Sequence, residues 1–94
     1  MTWDRQITLK TPEELAIMRK AGQINAEALA AAHAAFRPGV STADLNAIAE
    51  EVLHKYGAYS PFLNYPGPYP FPASTCISIN DELVHGIPDK KRKL

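Results

Sequence analysis

The sequence predicts an α+β fold in which two helices pack on part of an antiparallel sheet. Two segments, residues 11–36 and 41–57, begin with helix-start signals and continue with apolar residues at helical spacing. Two short extended runs follow at residues 74–80 and 83–85, and a turn signal, Asn80-Asp81, separates them. Helices in one part of the chain and strands in another are typical of the α+β class.

The first ten residues form a polar lead-in in which Ile7 and Leu9 alternate with polar residues. This alternation fits either a short edge strand or an extended arm. Trp3 is a candidate anchor for that arm, and the sequence does not indicate what it would pack against.

The first helix begins with several agreeing signals. Thr11 can cap it, Pro12 suits the first helical position, and Glu14 completes a capping box. Arg37-Pro38-Gly39 ends it, so the helix is expected to reach about Phe36. An apolar stripe along the helix predicts a role in core packing rather than in ligand binding. That stripe consists of Leu15, Met18, Gly22, Leu29, Ala32 and Phe36.

The second helix is expected to begin after its capping residue, Ser41, and to end at Gly57. The short connection predicts that the two helices pack as neighbours. Glu50 and His54 lie four residues apart on the outer face. A solvated pair is favoured there over a metal site, because the His-Glu-x-x-His pattern is absent. The amphipathic face comprises Leu45, Ile48, Ala49, Val52, Leu53 and Tyr56.

Residues 58–72 predict a stiff loop, because five prolines remove backbone donors and favour polyproline-like geometry. Aromatic residues interleave with these prolines. Two interpretations stay open at this point: a linker or peptide-ligand segment, or a loop whose aromatic side chains line a pocket. The aromatic residues are Tyr59, Phe62, Tyr65, Tyr69 and Phe71.

Composition is that of one small globular domain over the 94 residues, since 46% are hydrophobic and 21% are charged. Lys plus Arg equals Asp plus Glu at 10 each, so no net field would steer the chain to nucleic acid or to a membrane. A single cysteine, Cys76, fits the reducing cytoplasm and is expected to be a small buried residue. The N-terminus lacks a signal-peptide core, and no run would span a bilayer. The basic run at residues 89–94 is interpreted as a solvated turn or tail.

A long, gapped pattern surrounds the second extended run. Its positions are Phe71, Pro72, Ser74, Cys76, Ser78, Asn80 and then His85-Gly86-Ile87-Pro88, with further matches at Lys10-Thr11, Glu14-Leu15, Met18-Arg19, Ala21-Gly22 and residues 38–42. This pattern resembles the type I methionine aminopeptidases, which belong to the pita-bread family together with creatinase and prolidase. The resemblance covers nearly all of the chain from about Ile7 onward and only the first part of the family's domain.

The resemblance implies that residues 1–94 are the N-terminal part of a single methionine aminopeptidase domain, with the corresponding portion of the pita-bread fold. It implies hydrolytic removal of the N-terminal methionine from nascent proteins in the cytoplasm by two divalent metal ions, which could be cobalt, manganese, iron or zinc. The implied ligands are two Asp, one His and two Glu. All of them fall after the His-Gly-Ile-Pro motif, so residues 1–94 are expected to hold no metal ligand and to be inactive alone.

The resemblance also implies two substrate-binding residues and assigns no catalytic one. His85 would contact the substrate near the scissile amide, where an imidazole can donate or accept a hydrogen bond. Tyr65 is the best positional match to an aromatic residue of the methionine side-chain pocket. The expected partner is the N-terminal methionine of nascent polypeptides, with the ribosome as a further candidate and neither a membrane nor a specific nucleic acid.

Two other functions stay open. One is a non-catalytic member of the same fold that acts as a binding module. The other is a free-standing helical-hairpin interaction protein, for which the proline-aromatic loop of residues 58–72 would be the contact surface.

Overall fold

The computed structural model describes residues 7–94, in which a short connection joins two helices that pack against each other. Helix α1 spans Pro12–Ala34 and helix α2 spans Thr42–Lys55. They pack against each other, which confirms the predicted pair. Residues 7–10 form no strand, and Ile7 and Leu9 are exposed, so the structure favours the extended arm. Trp3 lies outside the described residues. No helix of residues 7–94 is long and apolar enough to cross a membrane.

Both helices begin as the sequence predicts. The Thr11 hydroxyl accepts a hydrogen bond from the Glu14 backbone N–H at 3.1 Å, and the Glu14 carboxylate accepts one from the Thr11 N–H at 2.8 Å. Ser41 and Asp44 make the same reciprocal pair at 3.0 and 3.3 Å. These bonds satisfy N–H groups that a helix start leaves without a partner. Gly57, just after α2, has a φ of 67°, the left-handed conformation that glycine adopts readily.

The apolar stripe of α1 is exposed. Leu15 is 47%, Leu29 65% and Phe36 51% exposed, and Ala28 is the one buried residue of this helix. The prediction that the stripe packs in the core is therefore wrong for the described chain. Helical periodicity shows that a face is apolar, whereas burial needs a second element to cover that face, and nothing in residues 7–94 does so. The buried apolar side chains of the described residues are Ala28, Val40, Leu45, Ala49 and Ala73.

The predicted antiparallel sheet is not formed within residues 7–94, so that part of the fold prediction is wrong. Residues 75–79 are not part of a strand, although exposure alternates along them as it does in one. A single backbone hydrogen bond, from the Ile77 N–H to the Gly86 carbonyl at 2.8 Å, joins them to the second extended run. Asn80 and His85 have φ values of 56° and 57°. These left-handed residues bend the backbone at Asn80 and again at His85. The two runs therefore cannot pair through a continuous ladder of hydrogen bonds.

The last residues fold back on the start of α2. Thr42 is fully buried, and its hydroxyl donates to the Asp89 carbonyl at 3.1 Å and accepts from the Asp89 N–H at 2.8 Å. The Thr42 N–H donates to the Arg92 carbonyl at 2.8 Å. An isolated antiparallel bridge joins Ser41 to Lys93. The basic run is thus a turn whose backbone is anchored on α2, and its residues are exposed except for Arg92, which is half-buried.

A polar cluster also joins the helices. The Glu27 carboxylate on α1 accepts hydrogen bonds from the Lys55 ammonium at 3.2 Å and from the Tyr56 hydroxyl. The ammonium groups of Lys20 and Lys55 lie 5.5 and 5.2 Å from the centroid of the Tyr56 ring, within the range of cation–π attraction. The hydrogen bond from Tyr56, followed by that from Lys55, holds the pKa of Glu27 below its ordinary value of 4.5.

We expect Glu27→Gln to weaken the acid dependence of stability. The pKa of Glu27 is lowered in the folded chain, so the ionised carboxylate stabilises the fold. This stabilisation is fully present above about pH 4.5 and is lost as the pH falls through the folded-state pKa. Urea midpoints measured from about pH 7 down to about pH 3 should fall less in this variant than in the wild type. Glu51→Gln, on the exposed side of α2, is the matched control. The difference is small because the groups are exposed and salt screens them. Identical profiles for all three proteins would contradict the expectation.

Candidate functional site

The proline-aromatic loop lines an open cavity of about 620 Å³ together with Cys76, His85 and Ile87. This volume lies within the range of roughly 300–1,000 Å³ that small-ligand pockets occupy. Four aromatic side chains line it, and Ile87 and two prolines add to the apolar lining. The aromatic residues are Phe62, Tyr65, Tyr69 and Phe71. The cavity therefore suits a small apolar group, and its few polar side chains would orient what binds.

Both residues that the resemblance assigns to substrate binding lie on this cavity. Tyr65 comes from the proline-aromatic loop, and His85 comes from the second extended run. Cys76 lines the same cavity and is exposed, so the prediction of a buried cysteine is wrong. The reason is the alternation along residues 75–79, in which the odd-numbered side chains are half-buried and the even-numbered ones are exposed.

The loop closes on itself, which favours the pocket interpretation over a linker. The Asn64 N–H donates to the Phe71 carbonyl at 2.7 Å, and the Phe71 N–H donates to the Tyr65 carbonyl at 3.1 Å. Asn64 adopts a φ of 64°, a left-handed conformation that asparagine tolerates better than most residues. These bonds bring the two ends of the proline run together, so the aromatic side chains between them face a common space.

Asn46, in the middle of α2, anchors the segment that leads into the cavity. Its side-chain oxygen accepts hydrogen bonds from the Ser74 N–H at 3.2 Å, the Thr75 N–H at 3.0 Å and the Thr75 hydroxyl at 2.6 Å. Its amide nitrogen donates to Glu50 at 2.5 Å. No motif in the sequence marks Asn46, because the donors to its side-chain oxygen lie 28 and 29 residues away. The structure thus pairs Glu50 with Asn46.

We expect Asn46→Ala to lower the free energy of unfolding by about 2–4 kcal/mol, since three donors lose their acceptor and each bond is worth roughly 0.5–1.5 kcal/mol. Urea denaturation followed by circular dichroism measures this change. Glu50→Gln is the control, because its side-chain oxygen can still accept from the Asn46 amide. A midpoint for Asn46→Ala equal to that of Glu50→Gln would show that the three bonds do not hold the segment.

His85 lies at a sharp bend of the backbone, next to the tightly packed Gly86. Its φ of 57° is unusual for a residue with a side chain and costs about 1–3 kcal/mol. Gly86 follows it and presses against the backbone of the facing run. A Cβ atom at position 86 would lie 1.9 Å from the Ile77 carbonyl oxygen, so only glycine fits there. The tight contact and the bend together place His85 at the wall of the cavity.

The chain is similar to known proteins over most of its length. Residues 16–94 match the model of metallopeptidase family M24. The chain belongs to that family. The M24 chain is 48% identical over 88 residues to the methionine aminopeptidase of Clostridium acetobutylicum, an alignment that covers 94% of this chain and 34% of the relative. It is 46% identical over 85 residues to methionine aminopeptidase 1 of Bacillus subtilis, with 90% and 33% covered.

A Micrococcus luteus protein, described as an uncharacterized protein in the adk 3′ region, is 50% identical over 84 residues, which are 89% of the M24 chain and 95% of that protein. The chain spans about a third of the length of the Clostridium and Bacillus methionine aminopeptidases. The family assignment agrees with the N-terminal portion of the pita-bread fold as far as the two helices are concerned.

Metallopeptidases use divalent metal ions, and the described part of the M24 chain does not fit such a centre. Among residues 7–94, no three His, Cys, Asp or Glu side chains come together as a ligand group. The cavity contributes His85 and Cys76 of these residue types. A catalytic zinc site takes three protein ligands, and a two-metal site needs more, so these two side chains are too few.

Proposed function

We propose that this M24 chain is the N-terminal part of a methionyl aminopeptidase that removes the initiator methionine from nascent proteins in the cytoplasm. The observation that carries the proposal is the aromatic cavity, because both Tyr65 and His85 line it in a chain related to methionine aminopeptidases. Because the proposed substrate is the N-terminus of a nascent polypeptide, the ribosome is the candidate partner of the complete protein.

In this proposal the cavity receives the methionine side chain. Burying its apolar atoms is worth roughly 0.8 kcal/mol per CH₂ group, and a sulfur beside an aromatic ring adds about 0.3–1.5 kcal/mol. Tyr65 and Phe62 supply such rings. A charged or strongly polar side chain would lose hydration in the same space without gaining a partner, so the cavity selects against it.

His85 then lies where it can hydrogen-bond to the peptide group next to the bound side chain. A positioned imidazole can donate to the scissile carbonyl or accept from the amide, and such contacts orient the bond for cleavage. Two divalent ions, of cobalt, manganese, iron or zinc, would supply water activation and carbonyl polarisation. Their ligands are proposed to lie outside residues 1–94, which alone would be inactive.

The test uses the product of the complete gene, purified and supplied in turn with each of these four metal ions. We expect release of free methionine from Met-Ala-Ser and much slower cleavage of Glu-Ala-Ser, both followed by chromatography. Tyr65→Ala should raise KM for Met-Ala-Ser more than it lowers kcat, because it removes side-chain binding. Methionine-peptide binding without cleavage would replace this proposal with a non-catalytic binding module. A protein that neither binds nor cleaves the methionine peptide would instead favour the helical-hairpin interaction protein.

A further inference from the structure

The wall of the cavity that carries His85 has little support of its own. Leu83 is 88% exposed and Val84 is 62% exposed, so the residues before His85 bury almost nothing. One backbone hydrogen bond, from Ile77 to Gly86, ties the bend to the facing run. A segment with few buried contacts opens locally at low cost unless something else restrains it.

Arg92 provides that restraint from outside the cavity. Its guanidinium donates to the Ile87 carbonyl at 2.5 Å, to the Ile77 carbonyl at 3.3 Å and to the carboxylate of Glu82. These three acceptors lie on both sides of the bend that carries His85. The planar, forked donor geometry of arginine allows one side chain to hold several acceptors at fixed angles. Arg92 itself does not line the cavity.

Arg92 and Glu82 are themselves held in place by further hydrogen bonds. The Arg92 carbonyl accepts from the Thr42 N–H at 2.8 Å, which fixes Arg92 to the start of α2. The Glu82 carboxylate also accepts from the Ile79 N–H at 2.7 Å, and the Glu82 N–H donates to the Ile79 carbonyl at 3.1 Å. The Ile79 N–H, and then Arg92, hold the pKa of Glu82 below its ordinary value. The carboxylate therefore stays charged and available to Arg92 at neutral pH.

We propose that Arg92, with Glu82, is a positioning residue that holds the His85–Ile87 wall of the cavity in place for substrate binding and cleavage. The inference rests on the proposed aminopeptidase function, and Arg92 acts through His85 rather than on the substrate. Loss of the restraint lets the bend shift. Misplacing a catalytic contact by about 1 Å can lower the rate by about 10²-fold.

The kinetic test compares Arg92→Gln, Arg92→Lys and Glu82→Gln in the complete gene product. We expect Arg92→Gln to lower kcat/KM for Met-Ala-Ser by up to about 10²-fold. Arg92→Lys should recover part of the loss, because lysine keeps the charge but not the fork. Glu82→Gln should cost less than Arg92→Gln, because the two carbonyl contacts remain. Lys91→Gln removes the same charge from an exposed neighbour and should change nothing.

A double-mutant cycle separates positioning from simple destabilisation. If Arg92 acts through His85, Arg92→Gln should have almost no further effect on kcat in a His85→Ala background, since the group it positions is gone. An undiminished loss in that background would overturn the proposal, because Arg92 would then act independently of His85.

A readout without turnover keeps the inference separate from the aminopeptidase assignment. The Ile77 N–H donates to the Gly86 carbonyl, so its hydrogen exchange, read at the peptide level by mass spectrometry, reports on the opening of the wall. We expect faster exchange in Arg92→Gln than in Lys91→Gln, with Arg92→Lys between them. Equal exchange rates would overturn the positioning role even if the enzyme is active. Faster exchange in an inactive protein would leave the role of Arg92 standing and reject the proposed function.

Discussion

Replacing His85 by alanine in the complete protein is expected to lower kcat and kcat/KM for a Met-Ala peptide together, by about 10²–10⁴-fold. The reason is the loss of a hydrogen-bonding imidazole at the cavity wall, where it would contact the peptide group in the transition state. Bound metal should be unchanged, because His85 belongs to no ligand group within residues 7–94. Steady-state kinetics and metal analysis on the same samples measure both quantities.

His85→Gly is the matched variant that separates chemistry from folding. It removes the imidazole and also relieves the φ of 57°, so it should be at least as stable as His85→Ala and equally inactive. Wild-type turnover in either variant would reduce His85 to a structural residue. A loss of metal in proportion to activity would make it a metal ligand and would place the metal centre beside this cavity.

Gly86→Ala is expected to be the most damaging single-carbon change in the described chain. The added Cβ would lie 1.9 Å from the Ile77 oxygen and 2.6 Å from its carbonyl carbon, so backbone has to move. Overpacking of this kind typically costs about 1–3 kcal/mol, and the bond between Ile77 and Gly86 would be lost with it. Because the neighbouring His85 must move too, kcat/KM should fall by about 10²-fold or more.

The control for this change is Gly67→Ala, on the loop wall of the same cavity. Its Cβ would meet the Tyr69 carbonyl oxygen at 3.5 Å, an ordinary contact. Urea midpoints and Met-Ala cleavage, measured on both variants, should show a large loss for position 86 and a small change for position 67. Equal stability of the two variants would mean that the chain can relax around position 86.

The helix boundaries could be predicted closely because their causes are local. Thr11 with Glu14, and Ser41 with Asp44, act over three residues, so the capping boxes are readable directly from the sequence. The lining of the cavity could be predicted in part. The resemblance singles out Tyr65 and His85, and both line the cavity. Asn46 and Arg92 carry no motif, and they make their contacts far along the chain or across a bend.

The sequence by itself determined where the helices start, about where they end, and which family the chain resembles. Only the tertiary structure decided which apolar faces are covered, whether the extended runs pair, and on which side Cys76 lies. Capping, turn formation and glycine conformations depend on a few neighbouring dihedral angles, which nearby residues dictate. Burial and strand pairing instead require a partner from elsewhere in the chain. A periodic pattern shows that one face is apolar, but it does not show that another element covers that face.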